Sequence, residues 1–481
     1  MAPGRLSDKN VDVRASAHDV SPEPWGRRLW LALAAVVLVA GALQSYGISS
    51  WPLVDDEVPT LVELGLLDIS ADAFSVPAGQ IGRLPRAMPV WYGFQRIALD
   101  ILPASEISFR LPSVLCGLLT VAIVFVTAAR SRGLPFAGAV SLILLGCVPF
   151  ILLSQVNRFY SMPLLLMVIT LISIWMPRGG SAVAALTAVL ATLTVLSHNV
   201  TVVVFVLALM AAAPLYLRGR VPGAVVVRSG AAALVSVLLY LFYLRPLVSG
   251  WNSTGNPTPV LISLAAHVGV PTLALALLGG WVAVVRREQG VLLWWTLMVA
   301  GSIAFLQVAS QFTTINWNPR YFFFFMPAFW VLAAYGVDRV AQRIGSRPIA
   351  AAWYACVALL LLPSLLSHYR DGSRHDYRAA ASVLVAHAER GQPILSDDAE
   401  TISYYLPEEL RGHLIVRTKV RTYPQEEFFL VARSTAWTPS PEFPNRNAEL
   451  IAEIFRRRFD HFSHILRVYR VKTAEPAETE R

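Results

Sequence analysis

Apolar runs of about 20 residues, long enough as helices to cross a hydrocarbon core, recur through most of this chain. They lie near 28–48, 111–129, 134–153, 159–176, 181–198, 200–217, 226–247, 268–285, 290–309, 321–341 and 348–366. Pro149, Pro163 and Pro271 interrupt three of them. A chain that is 55% hydrophobic and 15% charged, with mean hydropathy +0.54, does not fit a soluble globular class. The expected fold class is an α-helical polytopic membrane protein of about eleven transmembrane helices. Interfacial helices are expected in its first outer loop, and a small carboxyl-terminal extracytoplasmic α/β domain after the last span.

Arginine placement sets the orientation, because cytoplasmic turns carry the excess of basic residues. Arg27/Arg28, Arg130/Arg132, Arg178, Arg218/Arg220, Arg286/Arg287 and Arg339/Arg343/Arg347 fall on alternate turns, which are therefore cytoplasmic. The amino terminus is then inside, and the first long loop and the carboxyl-terminal tail outside. An odd number of spans fits. The net charge of +9 is largely this topological signal, so no nucleic-acid partner is expected. The Ala/Val/Arg-rich composition suggests a GC-rich bacterium, and the expected location is a bacterial inner (plasma) membrane. Cys116, Cys147 and Cys356 all lie in apolar spans and read as small core hydrophobes, with neither disulfide nor metal-ligand spacing.

The organisation follows from composition shifts. Residues 1–24 are polar and Pro-punctuated, and read as a disordered cytoplasmic tail. Residues 25–366 form the transmembrane domain, with 49–110 as the long outer loop. That loop holds amphipathic stretches at Thr60–Leu67 and Val90–Leu102, the second carrying Trp91, Tyr92 and Phe94, as interfacial helices do. Residues 367–472 read as the α/β domain. Helices are expected at His375–Arg390 and Asn447–Phe459, and strands at Ile394–Ser396, Leu414–Arg417, Phe428–Ala432 and His464–Val471. Residues 473–481 are a charged, disordered tail.

From Ile107 to Arg370 the only acids are Glu288 and Asp338, each beside the Arg residues of a cytoplasmic turn. Chemistry on the opposite face must draw a carboxylate from the first outer loop or from the tail. Asp55, Asp56 and Glu57 stand a few residues beyond the first span. A partly desolvated carboxylate there has its pKa raised toward neutrality and is able to remove a proton from an incoming hydroxyl. A solvated loop start is the bland alternative, and the scarcity of other acids favours the catalytic one.

Several cations lie on the same side, against the positive-inside tendency: Arg83, Arg86, Arg110, Arg158, Arg245 and Arg320. Guanidinium binds phosphate oxygens in bidentate fashion, so as a group they are candidates for a phosphate at the membrane surface. Snorkelling to lipid headgroups would satisfy any one of them. Tyr160 and Tyr321 flank two of these arginines, and His198 closes the fifth span. All three are candidate sugar or acceptor contacts, although interfacial belts also explain such residues. Arg374 and His375, directly after the last span, join that group. No Walker loop, dinucleotide fingerprint, zinc motif or nucleophile elbow is present, so a cytosolic nucleotide-sugar donor has no visible site.

The order of these features resembles the type C glycosyltransferases. The similar group comprises protein O-mannosyltransferases, lipid A aminoarabinose transferases and rhizobial lipid A galacturonosyltransferases. The marks are the acidic pair Asp56-Glu57 after the first span and the long outer loop with interfacial helices. Arg110–Ser113 opens the second span, Asn157-Arg158-Phe159-Tyr160 stands at the fourth, and Arg320 to Pro327 at the tenth. The resemblance covers roughly residues 28–366. It implies transfer of one sugar, a hexose or pentose, from a polyprenyl-phosphate donor to an outer-face acceptor, with inversion. The acceptor is a glycan, a lipid or a protein, and membrane lipids surround the site. Asp56 or Asp55 would be the base. Glu57 would be its neighbour, or with Asp56 a ligand if a divalent cation is used; no other cofactor is implied. The outer arginines would hold the departing lipid phosphate.

Two departures from that group are visible. Its Lys-Pro-Pro element is replaced by Pro85-Arg86-Ala87-Met88-Pro89, with Arg86 as substitute. Its acid shortly after the Arg of the fourth span is replaced by Phe159-Tyr160. The rival readings are a transporter or flippase and a polymerase of lipid-linked glycans. Ionisable residues buried mid-span would favour a transporter, and here nearly all charges sit at span ends.

Overall fold

The computed structural model describes residues 26–53, 57–65, 83–103, 105–177, 180–248, 264, 268–286, 288, 290–312, 323–371, 374–416, 424, 427–434, 446–456 and 464–473. Each expected apolar segment carries a helix. The first is α1 (Arg27–Ser45), followed by three short helices, α2 (Glu57–Glu63), α3 (Arg83–Ala87) and α4 (Pro89–Ile101). Then come α5 (Glu106–Arg132), α6 (Leu134–Leu145), α7 (Val148–Ser154), α8 (Ser161–Ile174), α9 (Gly180–Ser197) and α10 (Thr201–Leu217). The helix α11 (Gly223–Leu239) runs through a π-helical turn at Tyr240–Leu244 into α12 (Arg245–Val248). The bundle ends with α13 (Val270–Val285), α14 (Gly290–Phe312), α15 (Met326–Ile344) and α16 (Arg347–Asp371).

By length and composition, seven helices among the described residues are able to cross a membrane, and α6 with α7, bent by 68°, makes an eighth. The remaining three expected spans, α8, α10 and α13, have 14, 17 and 16 residues. At about 1.5 Å per residue these are the shortest of the expected spans, with α10 at the lower end of what crosses a hydrocarbon core. The prolines explain part of this: Pro149 and Pro271 occupy the first turns of α7 and α13, where a missing N–H is harmless.

Packing inside the bundle depends on small residues, as expected where lipid removes the hydrophobic drive between helices. At the crossing of α13 with α15, a Cβ on Gly279 would lie 1.9 Å from the Leu332 carbonyl oxygen, and one on Gly336 2.9 Å from that of Leu275. The two backbones touch, and α15 is the most enclosed of the seven long helices, with Phe329, Tyr335 and Val337 fully buried. The helices α1 and α16 instead present Leu31, Leu38, Leu359 and Leu360 outward, the apolar exterior a bilayer requires. Cys116 and Cys147 are core residues as expected, whereas Cys356 is exposed on α16.

The chain after α16 forms α17 (Tyr377–His387), α18 (Ala399–Tyr405), α19 (Glu408–Arg411) and one five-stranded sheet. Its strands are β1 (Ile394–Ser396), β2 (Leu414–Val416), β3 (Phe428–Ser434), β4 (Arg446–Arg456) and β5 (His464–Thr473), in the order β2-β1-β3-β5-β4. β1 lies parallel to β2 and β3, and β5 pairs antiparallel with β3 and β4. Alternation along β3 sends Phe429 and Val431 to one core and Phe428, Leu430 and Ala432 to the other.

One expectation is corrected here: in place of the helix expected over Asn447–Phe459, the described part, up to Arg456, is the edge strand β4. A bulge between Leu450 and Ala452 breaks the two-residue alternation. Leu450, Ile451, Ile454 and Phe455 therefore follow helical spacing in the sequence. Pairing with β5 overrides the good helix formers, and Glu453 joins Arg467 across the ladder at 2.8 Å. The expected tails 1–24 and 473–481 lie outside the described residues, except Thr473, which ends β5.

Candidate active site

The small domain sits over the end of the bundle that carries α2 and α4. Arg378 of α17 donates two hydrogen bonds to Glu106 at the start of α5, both 2.9 Å. Tyr405 of α18 accepts a hydrogen bond from the Leu53 backbone N–H at 2.6 Å. Beneath these contacts lies a fully buried charge cluster centred on Glu57.

Glu57 receives Arg110 in fork geometry, Nε to Oε1 and Nη2 to Oε2, each at 2.9 Å. The Asn157 backbone N–H donates to Oε1 at 2.7 Å, and Arg374 Nη1 stands 3.9 Å from Oε2. Glu57, Arg110 and Arg374 are all buried. Burial alone would push the Glu57 carboxyl up. The charge and hydrogen bonds of Arg110, the charge of Arg374 and the Asn157 amide outweigh it and hold the group below its ordinary value. Burial and the charge of Arg110 press Arg374 down to about 9, with Glu57 opposing.

Arg110 also donates to the carbonyls of Ile48 at 2.6 Å, Trp51 at 3.0 Å and Pro52 at 3.0 Å. All five of its N–H bonds are thereby used, and none is left for a phosphate. That expectation for Arg110 is corrected to a structural one. Arg374 donates to the Pro52 carbonyl at 3.1 Å and lies over the Trp51 ring at 5.1 Å. The candidate metal role of Glu57 fails on the same geometry, because two guanidinium groups crowd its oxygens and would repel a cation. Among the described residues no three His, Cys, Asp or Glu side chains gather as a metal site.

The consequence concerns the chain on either side of the acidic pair. Pro52 and Leu53 are tied by Arg110, Arg374 and Tyr405, and Glu57 is tied by Arg110 and Asn157. Asp55 and Asp56 occupy the short stretch between these anchors and lie outside the described residues. Arg320, Tyr321 and the side chain of Arg83 also lie outside them.

The other candidates divide. Arg158 is buried beside the centre, donating from Nη1 to the Thr60 hydroxyl at 2.9 Å and lying 4.4 Å from the Phe159 ring centroid. Arg86 and Arg245 are exposed, and their helices α3 and α12 pack together, with Tyr243 donating to the Arg86 carbonyl at 2.9 Å. Tyr160 and His198 are buried in one aromatic cluster, their rings 6.0 Å apart and His198 4.6 Å from Phe324. His198 Nδ1 accepts from the Val200 N–H at 3.3 Å. His375 is half-buried, 5.9 Å from the Tyr377 ring.

Glu63 and Tyr92 escaped the sequence reading. The Tyr92 hydroxyl donates to Glu63 Oε2, close enough to Arg158 for its charge to act on both. Burial pushes the Glu63 carboxyl up to about 7, against the opposing hydrogen bond of Tyr92 and charge of Arg158. The available signal was spacing: Glu57, Thr60 and Glu63 recur every third residue, one face of a helix.

The fold of this chain, a helical membrane bundle with a loop of short helices after its first span and a small α/β domain set over that loop, is similar to that of solved type C membrane glycosyltransferases. The chain is similar in structure to ArnT, the lipid A aminoarabinose transferase, from Cupriavidus metallidurans. Against ArnT in the apo state the TM-score is 0.52 at 14% identity, covering 93% of this chain and 99% of that one. Against ArnT bound to undecaprenyl phosphate it is 0.51 at 15% identity, covering 94% and 100%. The apo oligosaccharyltransferase of Archaeoglobus fulgidus gives 0.50 at 12% identity, covering 81% of this chain and 65% of that one. At these identities the likeness is one of fold. No family model matches the chain, and no curated protein matches it.

Proposed function

We propose that the protein transfers one monosaccharide from a polyprenyl-phosphate donor to an acceptor hydroxyl at the extracytoplasmic face of a bacterial plasma membrane. The amino terminus then lies in the cytoplasm and the α/β domain outside. Asp55 or Asp56 takes the acceptor proton as its oxygen forms the new bond to the anomeric carbon. The bond from that carbon to the phosphate oxygen breaks on the opposite side, giving inversion, and its electron pair leaves with the lipid phosphate. Arg158 balances the negative charge that accumulates there, where a buried cation is most effective. Arg83, Arg86, Arg245 and Arg320 complete the donor site.

The observation that carries this reading is the double anchoring of the acidic segment by Arg110, Arg374, Tyr405 and Asn157, at the same end of the bundle as buried Arg158. A base must be held in place before its substrate arrives. That a protein of this fold binds undecaprenyl phosphate supports the class of donor. The test is transfer of labelled sugar from a polyprenyl-phosphate monosaccharide by purified protein in detergent, with no second compartment. Asp55→Asn/Asp56→Asn is expected to lower the rate by about 10²–10⁴-fold while thermal unfolding stays the same. Wild-type rates in that double variant would reject the mechanism.

A further inference from the structure

Glu63 is the described carboxyl closest in character to a working acid. It is half-buried, its Oε2 takes the Tyr92 hydroxyl, and no second hydrogen bond to it is found among the described residues. Tyr92 is itself buried, and burial first, then the neighbouring Glu63 charge, raise its pKa well above that of an ordinary phenol. Tyr92 therefore remains a donor at any physiological pH, and a proton on Glu63 belongs on Oε1. Thr60, on the same helix face, connects this pair to Arg158, accepting its Nη1–H at 2.9 Å.

The groups facing Glu63 are Tyr92 from α4 and Arg158 from the turn before α8. The helix α18, packed on α2, carries Glu400, Tyr404 and Tyr405. Tyr405 is engaged with Leu53, and the Glu57–Arg110 pair stands at the start of α2. Among the described residues one cation, Arg158, thus acts on the Glu63 carboxyl. When an anionic phosphate joins Arg158, its charge opposes ionisation of Glu63 further.

We propose that Glu63 is the general acid of this transferase, giving its proton to the departing lipid phosphate. This rests on the reading of Arg158 as a phosphate ligand in the transfer described above. As the bond from the anomeric carbon to oxygen breaks, the electron pair stays on the phosphate oxygen. The proton on Glu63 Oε1 moves to the phosphate, leaving a monoanionic polyprenyl phosphate. Glu63 becomes a carboxylate held by the Tyr92 hydroxyl beside Arg158, and a solvent proton restores it. The acceptor proton goes separately to Asp55 or Asp56, so charge and protons balance.

The experiment is the dependence of kcat on pH for the purified full chain in detergent with a polyprenyl-phosphate monosaccharide. Wild-type kcat, which reports the donor-bound enzyme, is expected to fall on the alkaline side with a midpoint above the ligand-free value of about 7. Glu63→Gln is expected to lose about a hundredfold in rate and to lose this alkaline fall. In Tyr92→Phe the hydrogen bond that favours the carboxylate is gone, so the alkaline midpoint moves to higher pH. An alkaline fall that persists in active Glu63→Gln overturns the proposal. So does an unchanged or lowered midpoint in Tyr92→Phe, the deciding measurement if Glu63→Gln does not fold. Failure of the underlying reading looks different: wild type then transfers no sugar from the lipid donor, or Asp55→Asn/Asp56→Asn keeps full activity.

Discussion

Two carboxyls on one short helix, six positions apart, meet opposite environments. Glu57 is fully buried, yet a bidentate guanidinium, a second one close by and a backbone amide hold it ionised. Glu63 is less buried, yet among the described residues it meets one guanidinium, Arg158, and a neutral phenol, and its affinity for a proton rises. Burial taxes both in the same sense. The number and reach of cationic partners decides which side wins. A carboxylate saturated with donors is a fastener; one left short of them is a group that exchanges protons.

Breaking the fastener has the largest expected effect. Glu57→Gln leaves buried Arg110 and Arg374 with only the more distant Glu106 as counter-charge, at a cost of up to about 3–5 kcal/mol, read as a large drop in thermal unfolding temperature and in folded yield. Adding Arg110→Met should return part of that loss. Strict additivity of the two changes would show that the groups are not coupled.

A middle-sized effect separates the carboxyls by the sign of their pH dependence. The Glu57 value is depressed on folding, so its contribution is complete above the ordinary 4.5 and is lost as pH falls through the folded value. The Glu63 value is raised from 4.5 to about 7, so its contribution is complete below 4.5 and is lost as pH climbs toward 7. Chemical denaturation across pH 4 to 8 should show stability declining through that interval in wild type. The decline should be smaller in Glu63→Gln, and equal slopes would erase the contrast.

The smallest change sharpens the anchoring of the acidic segment. Tyr405→Phe removes the hydrogen bond accepted from Leu53 and should cost about 1 kcal/mol of stability. Because the displaced residues adjoin Asp55, transfer rate should fall more than stability does. Proportional losses of both would confine Tyr405 to holding the small domain.

Membrane helices were legible because one physical rule, the satisfaction of backbone groups in hydrocarbon, writes itself as continuous apolar length. All eleven segments carry helices in their expected places, and the three shortest are cut near residues the sequence displays, such as Pro271. Legibility failed at β4, where a bulge converted strand alternation into helical spacing. Arg110 shows a subtler failure. A cation at an outer helix start advertises the need for an anion, and the sequence offered phosphate. The actual partner, Glu57, lies 53 residues away across a loop whose carbonyls take the remaining donors. Glu63 was passed over because an acid on a loop helix carries no mark of burial.

What the sequence by itself determined is therefore the bilayer-crossing architecture and the end of the bundle where acids and unpaired-looking arginines gather, since both follow from the free energy of moving side chains between water and lipid. Which acid is a fastener and which retains a proton was decided only by the tertiary structure. Charge interactions fall off over a few ångströms in a low-dielectric interior, and residues from the first loop, α5, the turn before α8 and the chain after α16 come within that range only when folded.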